Sequence, residues 1–338
     1  MVAETPRPEA KPASGAFGLP ALAAEVDAAL AALDLPAEPA GLYDPVRYVL
    51  EGGGKRVRPA LVLLAAQAFG GAEARRRAMP AALGVETFHN FTLVHDDIMD
   101  RAATRRGRAT VHERWDTATA VLAGDLMMGL ACSLIARTEG VPTGLLMRAH
   151  YETVARLCEG QTMDMAFETR ADVAADEYLD MIDRKTGALL EHALDVGARV
   201  GGADGPAVDA LRQSGRALGR AFQIQDDLLD LTASADGWGK PVGGDLVEGK
   251  RTYLVLLARE RATPDDHAWL QAVLSGGLAP ERVGHVRGRL GRLGVLADAA
   301  AAVDRYTDEG RQGLAALPPG PAADGLRALA LGLASRSA

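Results

Sequence analysis

Cysteine is scarce in this chain: Cys132 and Cys158 are the two among 338 residues. Two thiols cannot build a disulfide framework and these lack the spacing of a zinc site, so reduced thiols are expected. Aromatic residues make up only 4%, which favours helix over strand, because sheets lean on aromatic and β-branched side chains. Surplus positive charge is missing as well. A net charge of −8 argues against nucleic acid as a partner, since phosphate backbones are bound by clustered Lys and Arg. Small phosphorylated ligands stay open, because a metal ion can bridge phosphate to carboxylates. Long apolar runs are also lacking: stretches such as 59–66 fall far short of the ~20 residues that cross a bilayer. The first twenty residues, rich in Ala, Pro and Glu, contain no signal-like apolar core. The expectation is a disordered tail over 1–19 and a cytoplasmic protein that does not span a membrane.

What the chain does contain is helix-forming sequence. Ala, Leu, Arg, Glu and Met recur throughout, and 48% of residues are hydrophobic. Helical lengths are read at 20–33, 58–69, 78–101, 116–137, 145–165 and 207–231. Gly and Pro clusters separate them, as at Gly70-Gly71, Gly140-Val141-Pro142, Gly201-Gly202 and Pro318-Pro319-Gly320. No alternating strand and no long linker stands out. The expected architecture is all-α, one large helical domain over 20–338. Its helix from about Ala78 is apolar nearly all round and is therefore central.

Two segments carry chemistry: His95-Asp96-Asp97-Ile98-Met99-Asp100 and Gln225-Asp226-Asp227-Leu228-Leu229-Asp230. On a helix, residues i and i+4 share a face, about 6 Å apart along the axis. Asp96 with Asp100, and Asp226 with Asp230, therefore form two-carboxylate faces that repel themselves unless a cation sits there. A single cluster of this kind is ordinarily a solvated helix end. Here both copies follow apolar residues and stand near helix C-termini, where the dipole disfavours anions. A metal site explains that placement. Oxygen-only donors favour magnesium, which leaves coordination positions for diphosphate oxygens.

Basic residues accompany the acidic ones. Lys55 and Arg58 flank a turn in Gly53-Gly54-Lys55-Arg56-Val57-Arg58-Pro59, Arg105-Arg106 follow the first cluster, and Lys240 and Lys250 follow the second. Alone, each group is ordinary surface charge. Together they match the complementarity expected around metal-bound phosphates.

These motifs, in this order, resemble the signatures of the all-trans polyprenyl diphosphate synthase family. Gly160-Gln161-Thr162-Met163-Asp164 and Lys185-Thr186-Gly187 fill its intermediate positions, and the likeness runs from about Gly52 to Tyr253. The resemblance implies a helical bundle of the isoprenoid synthase type with a central cavity. It also implies a magnesium-dependent prenyltransferase that joins isopentenyl diphosphate to an allylic diphosphate (dimethylallyl, geranyl or farnesyl), working as a homodimer. By the same resemblance Asp96, Asp100 and Asp226 ligate magnesium, while Asp97, Asp227 and Asp230 support it. Arg105, Lys185, Lys240 and Lys250 grip the allylic diphosphate. Lys55, Arg58, His89 and Arg106 match the isopentenyl diphosphate site, and Thr186 and Gln223 turn oxygen dipoles toward the cation.

Product length is expected to depend on Phe91 and Thr92, five and four residues before Asp96 and roughly 6–8 Å deeper along the helix. Phe91 is bulky, and the first cluster lacks the two-residue insertion of many bacterial farnesyl synthases. A short product is expected, geranylgeranyl ahead of farnesyl diphosphate. A terpene cyclase is the nearest rival but needs no isopentenyl diphosphate site. A non-catalytic partner subunit would tend to lose the acidic clusters, and a calcium-binding or scaffold protein leaves the basic residues unexplained.

Overall fold

The computed structural model describes residues 17–170, 172–233, 242–275 and 278–334. The chain forms helices α1 (Leu19–Ala31), α2 (Ala40–Leu50), α3 (Val57–Met99), α4 (Val111–Arg114), α5 (Thr117–Ala136), α6 (Thr143–Thr169) and α7 (Ala175–Ile182). A π-helical turn, Asp183–Gly187, leads directly into α8 (Ala188–Val200), followed by α9 (Gly205–Thr232). Short helices α10 (Gly244–Glu248), α11 (Tyr253–Arg261), α12 (Pro264–Leu274) and α13 (Val283–Arg292) precede α14 (Val295–Gly313) and α15 (Pro321–Ala334). The all-α expectation holds.

Helix α3 is the axis of the bundle, with α5 on one side and α8 on another; α9 lies against α8, and α14 against α9. Leu61, Leu63, Leu64 and Phe88 of α3 are almost wholly buried, each contributing about 1.5–3 kcal/mol by leaving water. The Gly70-Gly71 punctuation is a real break. Gly71 has φ 70° and ψ −164° inside α3, a backbone state that side-chain-bearing residues avoid. The second half of α3 starts just past this kink rather than at Ala78, so Pro80 stands inside it. Asp116 starts α5 by accepting the Thr119 N–H at 2.7 Å, a side-chain cap.

The buried apolar residues form two clusters. One gathers α1, α3, α5, α8 and α15, the other α7, α11, α13 and α14. Between them runs the π-turn: Ile182 belongs to the second cluster and Leu189 to the first.

Three features were not read from the sequence. A two-stranded antiparallel ribbon pairs Thr104–Arg105 with Arg108–Ala109. Its two-residue turn has positive φ at Arg106 (52°) and Gly107 (74°), the twist-matched geometry of a tight hairpin. The π-turn is the second. The third corrects the reading of apolar runs: among the described residues, α5 is long and apolar enough to cross a membrane by length and composition, although 39% of it is buried inside the fold. Gly124, Asp125, Gly129 and Ser133 interrupt its sequence and hid that length.

Candidate active site

The first aspartate cluster ends α3, with Asp100 as its C-terminal cap. Asp97 is buried, and its Oδ1 accepts Nε and Nη2 of Arg105, each at 2.8 Å. Burial pushes the Asp97 carboxyl up, and Arg105 opposes this. Asp96 is also raised by burial, with Lys185 countering and Asp100 adding like-charge repulsion. Lys185 of the π-turn therefore faces the end of α3. Its ammonium donates to Asp164 Oδ2 of α6 at 2.5 Å.

The second cluster lies on the last two turns of α9. Asp227 is buried, with Oδ2 accepting Tyr178 Oη at 2.7 Å and the Tyr253 N–H at 3.1 Å, and Oδ1 accepting Gln223 Nε2 at 3.2 Å. Even with these donors, burial pushes its pKa up to about 7, and Asp245 adds to the shift. Asp230 is buried too, and its Oδ2 accepts the Asp245 N–H at 3.3 Å. Asp226 is half-buried on the neighbouring face.

A chain of charge interaction and hydrogen bonds relates the two ends. Asp96 feels Lys185, Thr186 follows it in the π-turn, Thr186 Oγ1 donates to Gln223 Oε1 at 3.4 Å, and Gln223 donates to Asp227. Thus Asp96, Lys185, Thr186, Gln223 and Asp227, drawn from three elements, form one site. The donors are carboxylate oxygens at the ends of two helices, with the Lys185 ammonium acting on Asp96. They fit a hard divalent ion that takes one or two carboxylates and completes its shell with phosphate and water. Among the described residues no three His, Cys, Asp or Glu side chains close into an all-protein metal cage.

Beside this lies a cationic pocket. Arg58 Nη1 donates to His89 Nε2 at 3.1 Å. Burial holds His89 well below its usual pKa, followed by the charges of Arg58, Arg106, Arg105 and Arg56. The neutral imidazole can therefore accept from Arg58. Arg106 donates to the Gly53 carbonyl, which ties the ribbon to the glycine turn. Tyr48 of α2 holds the ribbon's far strand: its hydroxyl donates to Ala109 O at 2.8 Å, and the Arg108 guanidinium lies 3.9 Å over its ring. A cavity at this junction is lined by Tyr48, Asn90, Val94, Asp97, Arg105 and Arg106 among others.

Of the other expected residues, Lys55 is exposed on the glycine turn. Lys250 is exposed and bonded to Asp245 at 3.3 Å and Glu248 at 2.7 Å, so it approaches the second cluster only through Asp245. Lys240 and Trp238 lie outside the described residues. Thr92 is buried, and its hydroxyl donates to the His89 carbonyl at 2.8 Å. Phe91 is half-buried, its ring 5.4 Å from Phe88 and 4.7 Å from His95.

Two residues of the site were missed. Arg56, passed over between Lys55 and Arg58, is the buried one of the three. It donates to Glu86 (2.6 Å), Asp27 (2.7 Å) and Leu50 O (2.8 Å), fastening the glycine turn to α1, α2 and α3. The signal was Glu86, an acid inside the apolar run Leu83 to Phe88, which demands a buried partner. Tyr178 was the other, and no local pattern marks it.

The comparisons with known proteins agree with this geometry. The family model described as polyprenyl synthetase matches residues 39–287. A geranylgeranyl diphosphate synthase of Methanosarcina mazei is 44% identical over 243 residues, covering 71% of this chain and 74% of that protein. A geranylfarnesyl diphosphate synthase of Natronomonas pharaonis is also 44% identical, over 241 residues, covering 66% and 70%. The crystal structure of a geranylgeranyl pyrophosphate synthetase from Pyrococcus horikoshii superposes with a TM-score of 0.87 at 36% identity, covering 94% of this chain and 98% of that one. With the family signature spanning both aspartate ends and the fold shared nearly end to end, this chain belongs to the polyprenyl synthetase family, the prenyltransferases of the all-α isoprenoid synthase fold.

Proposed function

We propose that the protein condenses isopentenyl diphosphate with an allylic diphosphate, in the all-trans sense, and stops at a short product with geranylgeranyl diphosphate favoured. The observation that carries this reading is the hydrogen-bonded run from Thr186 through Gln223 to Asp227, beside Lys185, whose charge acts on Asp96 of the other aspartate end. It links one aspartate-rich helix end to the other through the π-turn that carries Lys185, and a separate arginine pocket would lie beside them. Two anionic groups would thus be held side by side by different means.

Asp96, Asp100 and Asp226 would hold magnesium, with Asp97, Asp227 and Asp230 in support, and the bound ion would supply Lewis-acid stabilisation of the departing diphosphate. Lys185 and Arg105 add fixed positive charge to the same leaving group, with Lys240 and Lys250 in the same role further along the chain. Such preorganised charge lowers the barrier to breaking the allylic carbon–oxygen bond. Arg58, Arg106, Lys55 and the neutral His89 would bind isopentenyl diphosphate and aim its double bond at the allylic carbon. A new carbon–carbon bond forms there, and loss of a proton to the released diphosphate restores an allylic product. Thr186 and Gln223 direct oxygen dipoles at the transient cation, and the flanking apolar helices exclude the water that would quench it.

Product length is a matter of this site rather than of overall similarity. The two relatives above share the same identity with this chain, yet their names specify products of different length. Phe91 and Thr92, five and four residues before Asp96 on α3, would line the path of the growing chain, and the bulk of Phe91 would favour an early stop. A homodimer is supported by the exposed apolar side chains Val121 and Leu122 on α5 and Leu145 on α6.

The test is incubation with magnesium, isopentenyl diphosphate and, separately, dimethylallyl, geranyl or farnesyl diphosphate, with chromatography of the dephosphorylated products. Products ending at fifteen or twenty carbons support the reading. Longer products retain the synthase and discard the stop at Phe91. A cyclic hydrocarbon, or no turnover with any primer, overturns the reading altogether.

A further inference from the structure

We infer that the Asp183–Arg220 ion pair, backed by Arg156, is a positioning device for the reaction. It fixes the π-turn Asp183–Gly187 and thereby sets the Lys185 ammonium and the Thr186 hydroxyl against the two aspartate ends. This rests on the proposed function for the identity of the diphosphate that Lys185 meets.

A π-turn is an uncommon break in helical hydrogen bonding, and it costs stability unless its surroundings hold it. Here it answers a packing demand. Tyr178, Leu179 and Ile182 before it bury themselves in one apolar cluster, while Leu189, Leu190 and Ala193 after it bury themselves in the other. The wide turn lets one continuous helical path serve both. The same demand takes Lys185 and Thr186 out of regular helical hydrogen bonding; Asp164 and Gln223 bind their side-chain tips, but a cationic group that must meet a reacting centre also needs its backbone accurately placed.

The restraint comes from outside the turn. The buried Asp183 carboxylate, at the first position of the turn, takes both Nε (2.7 Å) and Nη2 of Arg220 from α9, a two-pronged grip that fixes orientation as well as distance. The Arg220 guanidinium in turn lies 5.2 Å over the Tyr306 ring of α14. From the other side, Arg156 of α6 donates through Nη2 to the Asp183 carbonyl at 3.2 Å and through Nη1 to buried Glu191 at 2.7 Å. Backbones close the remaining gaps. A Cβ on Gly160 would stand 2.5 Å from the Lys185 backbone nitrogen, and one on Gly219 would stand 2.6 Å from the Gly187 Cα, so only glycine lets α6 and α9 approach the turn this closely.

A purely structural role is the alternative, and redundancy argues against it. Glu191 already binds Arg156 of α6 and both Arg212 and Arg216 of α9, so α6, α8 and α9 are tied together without Asp183. What Asp183 and Arg220 add is the place of the turn's first residue, two positions before Lys185.

The experiment is a double-mutant cycle between Asp183→Asn and Lys185→Ala, read in two ways: steady-state kinetics with both substrates, and calorimetric binding of inorganic pyrophosphate in the presence of magnesium. Asp183→Asn is expected to lower kcat on the order of 10–100-fold, the range for a misplaced binding group, and to weaken pyrophosphate. The KM for isopentenyl diphosphate, whose pocket lies elsewhere, should stay within about twofold. In the Lys185→Ala background the same substitution should change neither readout by more than about twofold, because the group it positions is gone. Arg220→Lys, which keeps the charge but loses the fork, should fall between wild type and Asp183→Asn while unfolding at the wild-type temperature. Additive losses in both backgrounds, or losses that track thermal stability alone, would overturn the inference, as would full activity in Asp183→Asn. Coupling in pyrophosphate binding without turnover of any allylic primer would leave the positioning role standing and discard the proposed reaction.

Discussion

The two aspartate ends share a motif and little else. At the end of α3, Asp97 is neutralised by a full charge, Arg105, carried on a small ribbon at the protein's edge. At the end of α9, the hydrogen-bond donors that Asp227 meets among the described residues are neutral dipoles: a tyrosine hydroxyl, a glutamine amide and a backbone N–H. Dipoles compensate a buried charge less completely than a counter-ion does. Asp227 is accordingly pushed up to about 7, whereas Arg105 works against the rise at Asp97. The same four-residue spacing thus yields one end built on a detachable ion pair and another built into the core. The first is suited to yielding its arginine to an incoming phosphate, and the second to holding its geometry.

The largest expected effect tests whether the ends form one site at all. Asp96→Ala and Asp226→Ala should each lower kcat by about 10²–10³-fold or more, the usual cost of removing one preorganised electrostatic group. A severe loss in only one of them would separate the ends.

Product length should depend on the first end alone. Phe91→Ala is expected to shift the main product by at least one five-carbon unit, seen as later-eluting alcohols after dephosphorylation. An unchanged product would make Phe91 ordinary packing against Phe88 and His95.

Stability should divide the ends in the opposite sense. Tyr178→Phe strips a donor from buried Asp227 and should cost about 1–3 kcal/mol in denaturant unfolding. Arg105→Ala leaves buried Asp97 without its counter-ion, but the arginine is 38% exposed and water can enter in its place, so it should cost less than Tyr178→Phe while reducing activity. Equal stability losses would erase the contrast.

The smallest effect is in the pH dependence of the metal-free protein. The folded pKa of Asp227, about 7, lies above the ordinary 3.8. Between these values the folded state holds a proton that the unfolded chain releases, so this group's contribution falls as pH rises from about 4 to about 7. Buried His150 and His192, lowered from 6.5 to about 4 and about 3, slope the other way and lose stability as pH falls. Asp227→Asn leaves them in place. The unfolding free energy of mutant minus wild type should therefore rise through that window, and a flat difference would mean that Asp227 does not titrate there.

Much of the site could be read before the fold was known, because its signals are local. The i, i+4 aspartates and the basic turn before α3 are each visible within a few residues of sequence, whereas Lys185-Thr186 was read through the family resemblance alone. Helix limits such as those of α5 and α9 came within two residues of the sequence reading, since glycine and proline clusters mark them. The kink at Gly71 was marked in the same way. Arg56, Tyr178, the ribbon and the π-turn were not visible. Arg56 meets Glu86 thirty residues away and Tyr178 meets Asp227 forty-nine residues away, so neither carries a neighbouring pattern. The apolar length of α5 was hidden by small and polar interruptions that packing tolerates.

The sequence by itself determined the chemical inventory: which helices form, which carry paired carboxylates, and that cations accompany them. Those properties follow from backbone propensity and residue spacing along one helix, which act over a turn or two. Tertiary structure alone decided the electrostatic character of each aspartate, because burial and long-range partners set it. It also decided that Lys185 acts on Asp96 while its neighbour Thr186 reaches Gln223 of α9, because a π-turn forms where two apolar clusters compete for one helical path.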